Sequence, residues 1–364
     1  MNLLTEIEKI ADQGSPDREA LARLLAIEDP SDHERLMQAA YETKRNSVRP
    51  VAYFRGLVEF SNVCTRNCHY CGIRRDSSIH RFSMSKAEIM ECAAFAFDNH
   101  YGSVVLQSGE RDDAQFVDFV EDVVREIKRQ GDGALGITLS CGEQTEQTYR
   151  RWFAAGAHRY LLRIETSDPK LYSKLHPADQ GFDKRVECLR LLQSCGYQVG
   201  TGVMIGIPHQ TAEHLAGDIT FFREMDIDMI GMGPYVLHEQ TPLAPEVVNT
   251  PEDKRRRLDL ALRMIALTRI IMPDVNIAAA TALQALHPQG REKGLKAGAN
   301  VVMPNLTPKK YREDYLLYED KPCAGEEADM CRGCLERRIQ SIGETVGWGK
   351  WGDSKHFFAR QTRK

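Results

Sequence analysis

Apolar and polar positions follow two different rhythms along this chain. Over residues 1–50 apolar side chains recur three and four apart, in LTEIEKIAD, REALARLLAI and DPSDHERLMQAAYETKRNSV, and that period predicts a helical preface. From about residue 51 the texture changes to short β-rich runs, each followed by a helical stretch. Eight strands are predicted, at 52–60, 103–108, 136–140, 159–165, 199–206, 229–234, 276–281 and 300–305. The segments 85–100, 114–130, 146–156, 182–196, 212–225, 251–271 and 290–298 read as the intervening helices, and several end at glycine.

Strand–helix alternation of this kind predicts parallel βαβ units and an α/β fold. Eight units lead to a closed (β/α)8 TIM-type barrel over 51–306, close to the roughly 250 residues such barrels use. A doubly wound open sheet is the alternative, because strand count does not show closure. The expected organisation is an N-terminal helical extension (1–50), the barrel (51–306) and an irregular C-terminal cap (307–364) rich in Tyr, charge, Gly and Cys.

Composition narrows the class. With 364 residues and 42% hydrophobic content the chain can fill one full core. A formal charge of −4 gives no global reason to expect nucleic acid or anionic lipid as partner. No run approaches the roughly 18–20 apolar residues of a membrane helix. The start, MNLLTEIEKIADQG, lacks the apolar core of a secretion signal, so a cytoplasmic protein is expected. In that compartment ten cysteines are not a disulfide framework. Six of them fall into two tight groups, Cys64/Cys68/Cys71 and Cys323/Cys331/Cys334, which reads as metal binding.

The first group, in FSNVCTRNCHYCGIRRD, has C-x3-C-x2-C spacing just after the first predicted strand. Three thiolates suit three corners of a 4Fe–4S cubane. A structural zinc ion would want a fourth ligand, and His69 lies within the loop to supply one. Three cysteines leave one iron open. An open iron can chelate the amino and carboxylate groups of a small molecule while the cluster delivers an electron. A sulfonium held there can be cleaved into methionine and a 5′-deoxyadenosyl radical, which makes Cys64, Cys68 and Cys71 the catalytic centre of a radical S-adenosylmethionine (SAM) enzyme.

Polar residues stand where barrel strands should be apolar. Arg163 and Glu165 are two apart and share a face with Leu161. Buried charge is costly unless it is satisfied, so at a strand's C-terminal end it reads as ligand-facing. Gln107, Ser108 and Glu110 end the second strand, and Thr138 and Ser140 share a face of the third. Gly206 and Pro208 stand where the fifth strand meets its loop. The small residues of NIAAAT hint at a roomy chamber. Cys323, Cys331 and Cys334, at x7 and x2 spacing, could hold a second Fe–S cluster, or zinc with an outside ligand such as His356. Cys92, Cys188 and Cys195 read as core thiols in helices, and Cys141 points away from the Thr138/Ser140 face.

Beyond the cysteine loop, the stretches VVLQSGE, RYLLRIET, MIGIPHQT, DMIGMGPYVLH and ANVVMPNLTP and the tail cysteines resemble the HydE family, radical SAM maturases of [FeFe]-hydrogenase, over nearly the whole chain. The resemblance implies SAM at the C-terminal mouth of the barrel. It puts Tyr70 and Met229 beside the adenine, Ser108, Gly109 and Glu110 near the methionine amino group, and Glu165 and Arg185 in contact with SAM. Gln107, Thr138, Arg163, Thr281 and Tyr311 would line the substrate cavity, where the family binds anions and small carboxylates. Ala280 departs from the expected Thr pair. The tail cluster would be dispensable. The implied reaction acts on an organometallic iron–cysteine complex carrying CO and cyanide, supplied by HydG. HydF and a low-potential donor such as ferredoxin or flavodoxin are further implied partners, and a monomer is expected. A methylornithine synthase-like or biotin synthase-like enzyme is the nearest alternative, and a non-catalytic electron carrier a remoter one.

Overall fold

Each strand–helix unit begins from the same local chemistry. Ser85, Asp113, Thr145 and Thr250 accept hydrogen bonds from the first-turn amides of the helices Lys86–Asp98, Ala114–Gln130, Glu146–Ala155 and Pro251–Ile271. Those amides have no partner within the helix, so a side-chain oxygen there fixes where it starts. The helix Ala114–Gln130 then buries Phe116, Val117, Val120, Val123, Val124 and Ile127, the three-and-four spacing read from the sequence.

The computed structural model describes residues 3–12, 17–319, 321–322 and 328–362. Its strands are β1 (Val51–Ser61), β2 (Ser103–Ser108), β3 (Gly136–Ser140), β4 (Arg159–Leu161), β5 (Gln198–Thr201), β6 (Met204–Ile205), β7 (Met229–Ile230), β8 (Gly233–Pro234), β9 (Asn276–Ile277), β10 (Val301–Val302) and β11 (Thr345–Val346). The main sheet is parallel and curled, in the order β10-β1-β2-β3-β4-β5-β7-β9, with β11 added beside β1. Helices cover it, so its strands are buried nearly end to end, as in β1.

The α/β reading holds, and continuous closure is where the structure differs. The end strands β9 and β10 share no ladder; one bridge, Ala278 with Val301, spans the seam. The later strands are also shorter than expected at their C-terminal ends. The predicted strand 159–165 stops at Leu161, and Glu165, in the left-handed region at φ 65°, bridges only to Val203. The predicted strands 199–206 and 229–234 each split in two, and β6 pairs with β8 as a separate pair. At that split Gly202 lies so close to Gly231 that a Cβ would sit 2.1 Å from the Gly231 carbonyl oxygen. Only glycine permits that approach. Thr281, placed at the end of a strand by its sequence, instead opens the helix Thr281–Leu286.

The N-terminal helices Arg18–Leu25 and Pro30–Ser47 pack on Ala212–Glu224 and Pro251–Ile271. Lys44 and Glu344, both with fully buried side chains, pair at 2.6 Å and tie the helix Pro30–Ser47 to the tail. The tail serves both ends of the curled sheet. Tyr315, Leu317, Tyr318 and Lys321 reach the mouth, whereas Trp351 to Ser354 plug the opposite end. There the fully buried Arg159 pairs with Asp353 and donates to the Trp351 carbonyl, Arg55 and Asn276 donate to the Gly352 carbonyl, and Gln198 accepts from the Ser354 amide.

Burial works to raise the Asp353 carboxyl, but the His158 hydrogen bond and Arg159 outweigh it and hold the group below the ordinary aspartate value of 3.8. A depressed carboxyl contributes stability above its unfolded pKa and loses it as pH falls. Asp353→Asn should therefore cost about 3 kcal/mol in urea unfolding at neutral pH, since it leaves Arg159 buried and unpaired. The gap to the unsubstituted protein should narrow as pH falls below 3.8.

Candidate active site at the mouth of the curled sheet

The cysteine loop begins where β1 ends, and polar side chains hold it. Asn62, fully buried, donates to the carbonyls of His80 and Asp314 and accepts from the Phe82 amide. Arg81 spreads its guanidinium over the carbonyls of Asn62, Ile73, Arg74, Arg75 and Ser77. Five donors in a planar fork suit that task. Gly109, at the end of β2, lets the loop lie against the sheet: a Cβ there would meet the Val63 carbonyl oxygen at 2.3 Å and Cys64 Cβ at 2.8 Å.

Cys64, Cys68 and Cys71 all line one cavity of about 330 Å³. Backbone amides of Arg66 and Glu110 point at Cys64 Sγ, each at 3.4 Å. Burial pushes all three thiols up, Cys68 to about 12, and the neighbouring thiols add to the rise at Cys68 and Cys71. A coordinating metal would reverse this by stabilising the thiolates. Among the described residues no three Cys, His, Asp or Glu side chains gather tightly enough for a single ion. His69, the fourth zinc ligand considered from the sequence, sets Nδ1 3.0 Å from the Lys174 carbonyl and does not line the cavity.

The same cavity collects Tyr70, Gln107, Ser108, Gly109, Glu110, Ser140, Arg163, Glu165, Arg185 and Thr281. Arg163 and Glu165 pair at 2.9 Å, and Arg185 pairs with Glu143 at 2.6 Å. Arg66, between the first two cysteines, pairs with Glu110 and reaches Glu143 at 3.6 Å. Burial raises the Glu110 and Glu165 carboxyls; arginines work against it at both, and Glu143 adds to the rise at Glu110. The Tyr70 hydroxyl lies 3.4 Å from His176 Nε2, with the rings edge to face. Ala278, Ala280 and Ala282 line the cavity too, so the small side chains of NIAAAT do leave room.

Three expected site residues lie elsewhere. Met229 and Thr138 face a smaller space deeper in the sheet, where Met229 Sδ accepts from Arg55 and Thr138 Oγ1 from Arg159. Tyr311 stacks on Phe82 and donates to Glu88, outside the cavity. Tyr315 and Tyr318, beyond the end of the helix Lys309–Arg312, occupy the wall instead. Gly206 and Pro208 are likewise off the cavity. Of the tail cysteines, Cys323 lies outside the described residues; Cys331 and Cys334 are on the helix Ala328–Ser341, and the described Cys334 side chain is half-buried. His356, considered as an outside ligand, is held by Asp226 and Asp274 at 2.6 and 3.0 Å. Cys92, Cys141, Cys188 and Cys195 are buried away from the cavity.

Sequence reasoning missed Glu59, Arg66, Glu143, Gln180, Tyr315, Tyr318 and Lys321. Glu59 carried a signal, since alternation places it with Leu57 on the inner face of β1; it pairs with Lys321 at 2.5 Å. Lys321 carried none, because it reaches the cavity from the tail.

Residues 58–222 match the family model of the Radical SAM superfamily. Over 342 residues the chain is 43% identical to the [FeFe] hydrogenase maturase subunit HydE of Thermotoga maritima, with 94% of each chain covered. The chain belongs to the HydE family of radical SAM enzymes. Among solved structures it resembles methylornithine synthase (PylB), with a TM-score of 0.78 and 25% identity over 94% of this chain and 98% of that one. It also resembles HydG, titled a maturase of the [FeFe]-hydrogenase, with a TM-score of 0.80 over 100% and 80%. At 18% identity that likeness concerns the fold. Membership of the superfamily implies a 4Fe–4S cluster and SAM. The residues present fit both. Three thiols line one cavity, and Arg163 Nε and Gln180 Nε2, on residues lining the same space, are buried without hydrogen-bond partners.

Gly109→Ala should force the cysteine loop off the sheet. The expected result is a folded protein by circular dichroism that retains several-fold less iron after anaerobic reconstitution; full iron content would show that the close approach is not needed.

Proposed function

We propose that this chain is a HydE-type maturase acting on the iron–cysteine complex, carrying CO and cyanide, that HydG supplies during assembly of the diiron subsite of [FeFe]-hydrogenase. The observation that carries this reading is 43% identity along 94% of both chains to a protein named as that maturase subunit. Cys64, Cys68 and Cys71 would hold the 4Fe–4S cluster, and Tyr70, Ser108, Gly109, Glu110, Glu165 and Arg185 would hold SAM. Together these groups would supply, on reduction, a 5′-deoxyadenosyl radical for attack at the cysteine sulfur of the substrate.

The chain's own residues prepare that event. Arg66 and Arg185 neutralise Glu110 and Glu143, so the methionine end of SAM would meet a balanced field. Gln107, Arg163 and Thr281 present polar groups to the substrate, while Ala278 and Ala280 give it volume. Tyr315, Tyr318 and Lys321 wall the cavity from the tail. HydF and a ferredoxin- or flavodoxin-like donor are the further partners of this proposal. The tail cysteines would form an accessory centre that maturation does not require. Among the described residues no helix is long and apolar enough to cross a membrane.

A methylornithine synthase-like mutase is the second reading, favoured by the PylB likeness at 25% identity. A biotin synthase-like reading has less support, because none of Cys141, Cys188 and Cys195 lines the cavity. An electron carrier would leave the Arg163–Glu165 pair that lines the cavity without a role.

The assay is anaerobic reconstitution, dithionite reduction and measurement of 5′-deoxyadenosine with and without the HydG product. A sharp rise with that complex, abolished by Cys64→Ala, is expected. Slow formation indifferent to it would return the substrate question to the mutase reading. Glu165 should also give SAM binding a pH dependence. Its carboxyl is raised above 4.5, so the charged form that holds SAM is lost as pH falls through that raised value. SAM affinity should weaken on acidification, and Glu165→Gln should weaken it about tenfold at neutral pH and flatten the profile. An unchanged acid limb in that variant would exclude Glu165 as its source.

A further inference from the structure

Gln180 stands in the loop between the helices Pro169–Leu175 and Phe182–Ser194, and its amide faces a cluster cysteine. The side chain lines the cavity and the residue is only 4% exposed. Its Oε1 accepts from Cys68 Sγ–H at 3.3 Å. Its Nε2 is buried with no hydrogen-bond partner. The backbone amide of Gln180 donates to the Pro177 carbonyl at 3.0 Å, which pins the loop and so fixes where the side chain starts.

That arrangement suits a thiol but not a thiolate. An iron-bound sulfur has no proton to donate, so Oε1 at this distance would face a second acceptor. Exchange of the amide oxygen and nitrogen, nearly the same in shape, removes the conflict. It sets the orphaned N–H on the sulfur and converts a repulsive contact into a charge-assisted hydrogen bond. We propose that Gln180 donates an N–H···S hydrogen bond to the ligating sulfur of Cys68 and thereby sets the reduction potential of the cluster. A donor to the sulfur favours the more negative, reduced cluster, so it raises the potential. Gln180 is a positioning and tuning residue in this account, not a ligand. The proposal rests on Cys68 being a cluster ligand.

The test is an EPR-monitored redox titration of the anaerobically reconstituted full chain, without SAM, beside iron analysis. The unsubstituted protein must first show the reduced 4Fe–4S signal; its absence would defeat the cluster reading itself. Gln180→Met keeps length and removes the donor, and Gln180→Leu is a second apolar variant. Each should keep full iron content and move the potential negative. The expected size is about tenfold fewer reduced clusters at a fixed ambient potential, about 59 mV for one electron. Pulsed EPR should show a coupled amide nitrogen in protein labelled with 15N-glutamine, and lose it in Gln180→Met. A normal potential at full iron content in either variant would overturn the proposal. So would loss of the cluster from both, because a tuning donor should not be needed to hold iron.

Discussion

Three thiols can share a cluster only if the loop that carries them is held in place by the protein. Everything at this site depends on that constraint. The loop makes almost no ladder hydrogen bonds, so side chains supply them: Arg81 gathers five loop carbonyls, and Asn62 fastens the loop to His80, Phe82 and Asp314. Gly109 then allows β2 to meet the loop without a side chain between them. All three thiols line the same cavity as a result.

Charge is the second consequence. A cavity proposed to take a sulfonium, a carboxylate and an ammonium needs fixed groups of both signs, and buried charge must be compensated. Arg66, Glu110, Glu143 and Arg185 form one alternating network, and Arg163 with Glu165 forms another pair beside it. The strand ends that carry these groups are short and irregular because their residues serve the cavity and not the ladder. Glu165 in the left-handed region shows this directly. At the opposite end of the sheet the problem is solved differently: the tail returns to place Asp353 and backbone carbonyls against Arg159 and Arg55.

Much of this was legible in the sequence. The alternation of strands and helices is a local property, and it located every strand of the main sheet except β11. The cysteine loop and the strand-end residues Gln107, Ser108, Glu110, Arg163 and Glu165 were visible because charge or sulfur stood where apolar residues belong. Thr138 was placed at the right face but the wrong depth, because alternation gives a side and not a height along the strand; Met229, placed by resemblance, faces the same deeper space. Tyr311, placed by resemblance, lies outside the cavity that Tyr315 and Tyr318 line, and the irregular tail has no apolar period from which those two could have been read. Closure and the double role of the tail depend on contacts between distant residues, such as Ala278 with Val301 and Arg159 with Asp353, and no local pattern encodes those.

The central claim is that the three-cysteine cluster presents an open iron to SAM inside this cavity. The direct measurement is electron–nuclear double resonance on the reduced, reconstituted protein with SAM labelled with 15N at the amino group and 17O at the carboxylate. The account expects both labels to couple to the cluster. A reduced 4Fe–4S signal with bound SAM and neither coupling would mean that the fourth iron is closed by the protein, and would contradict it.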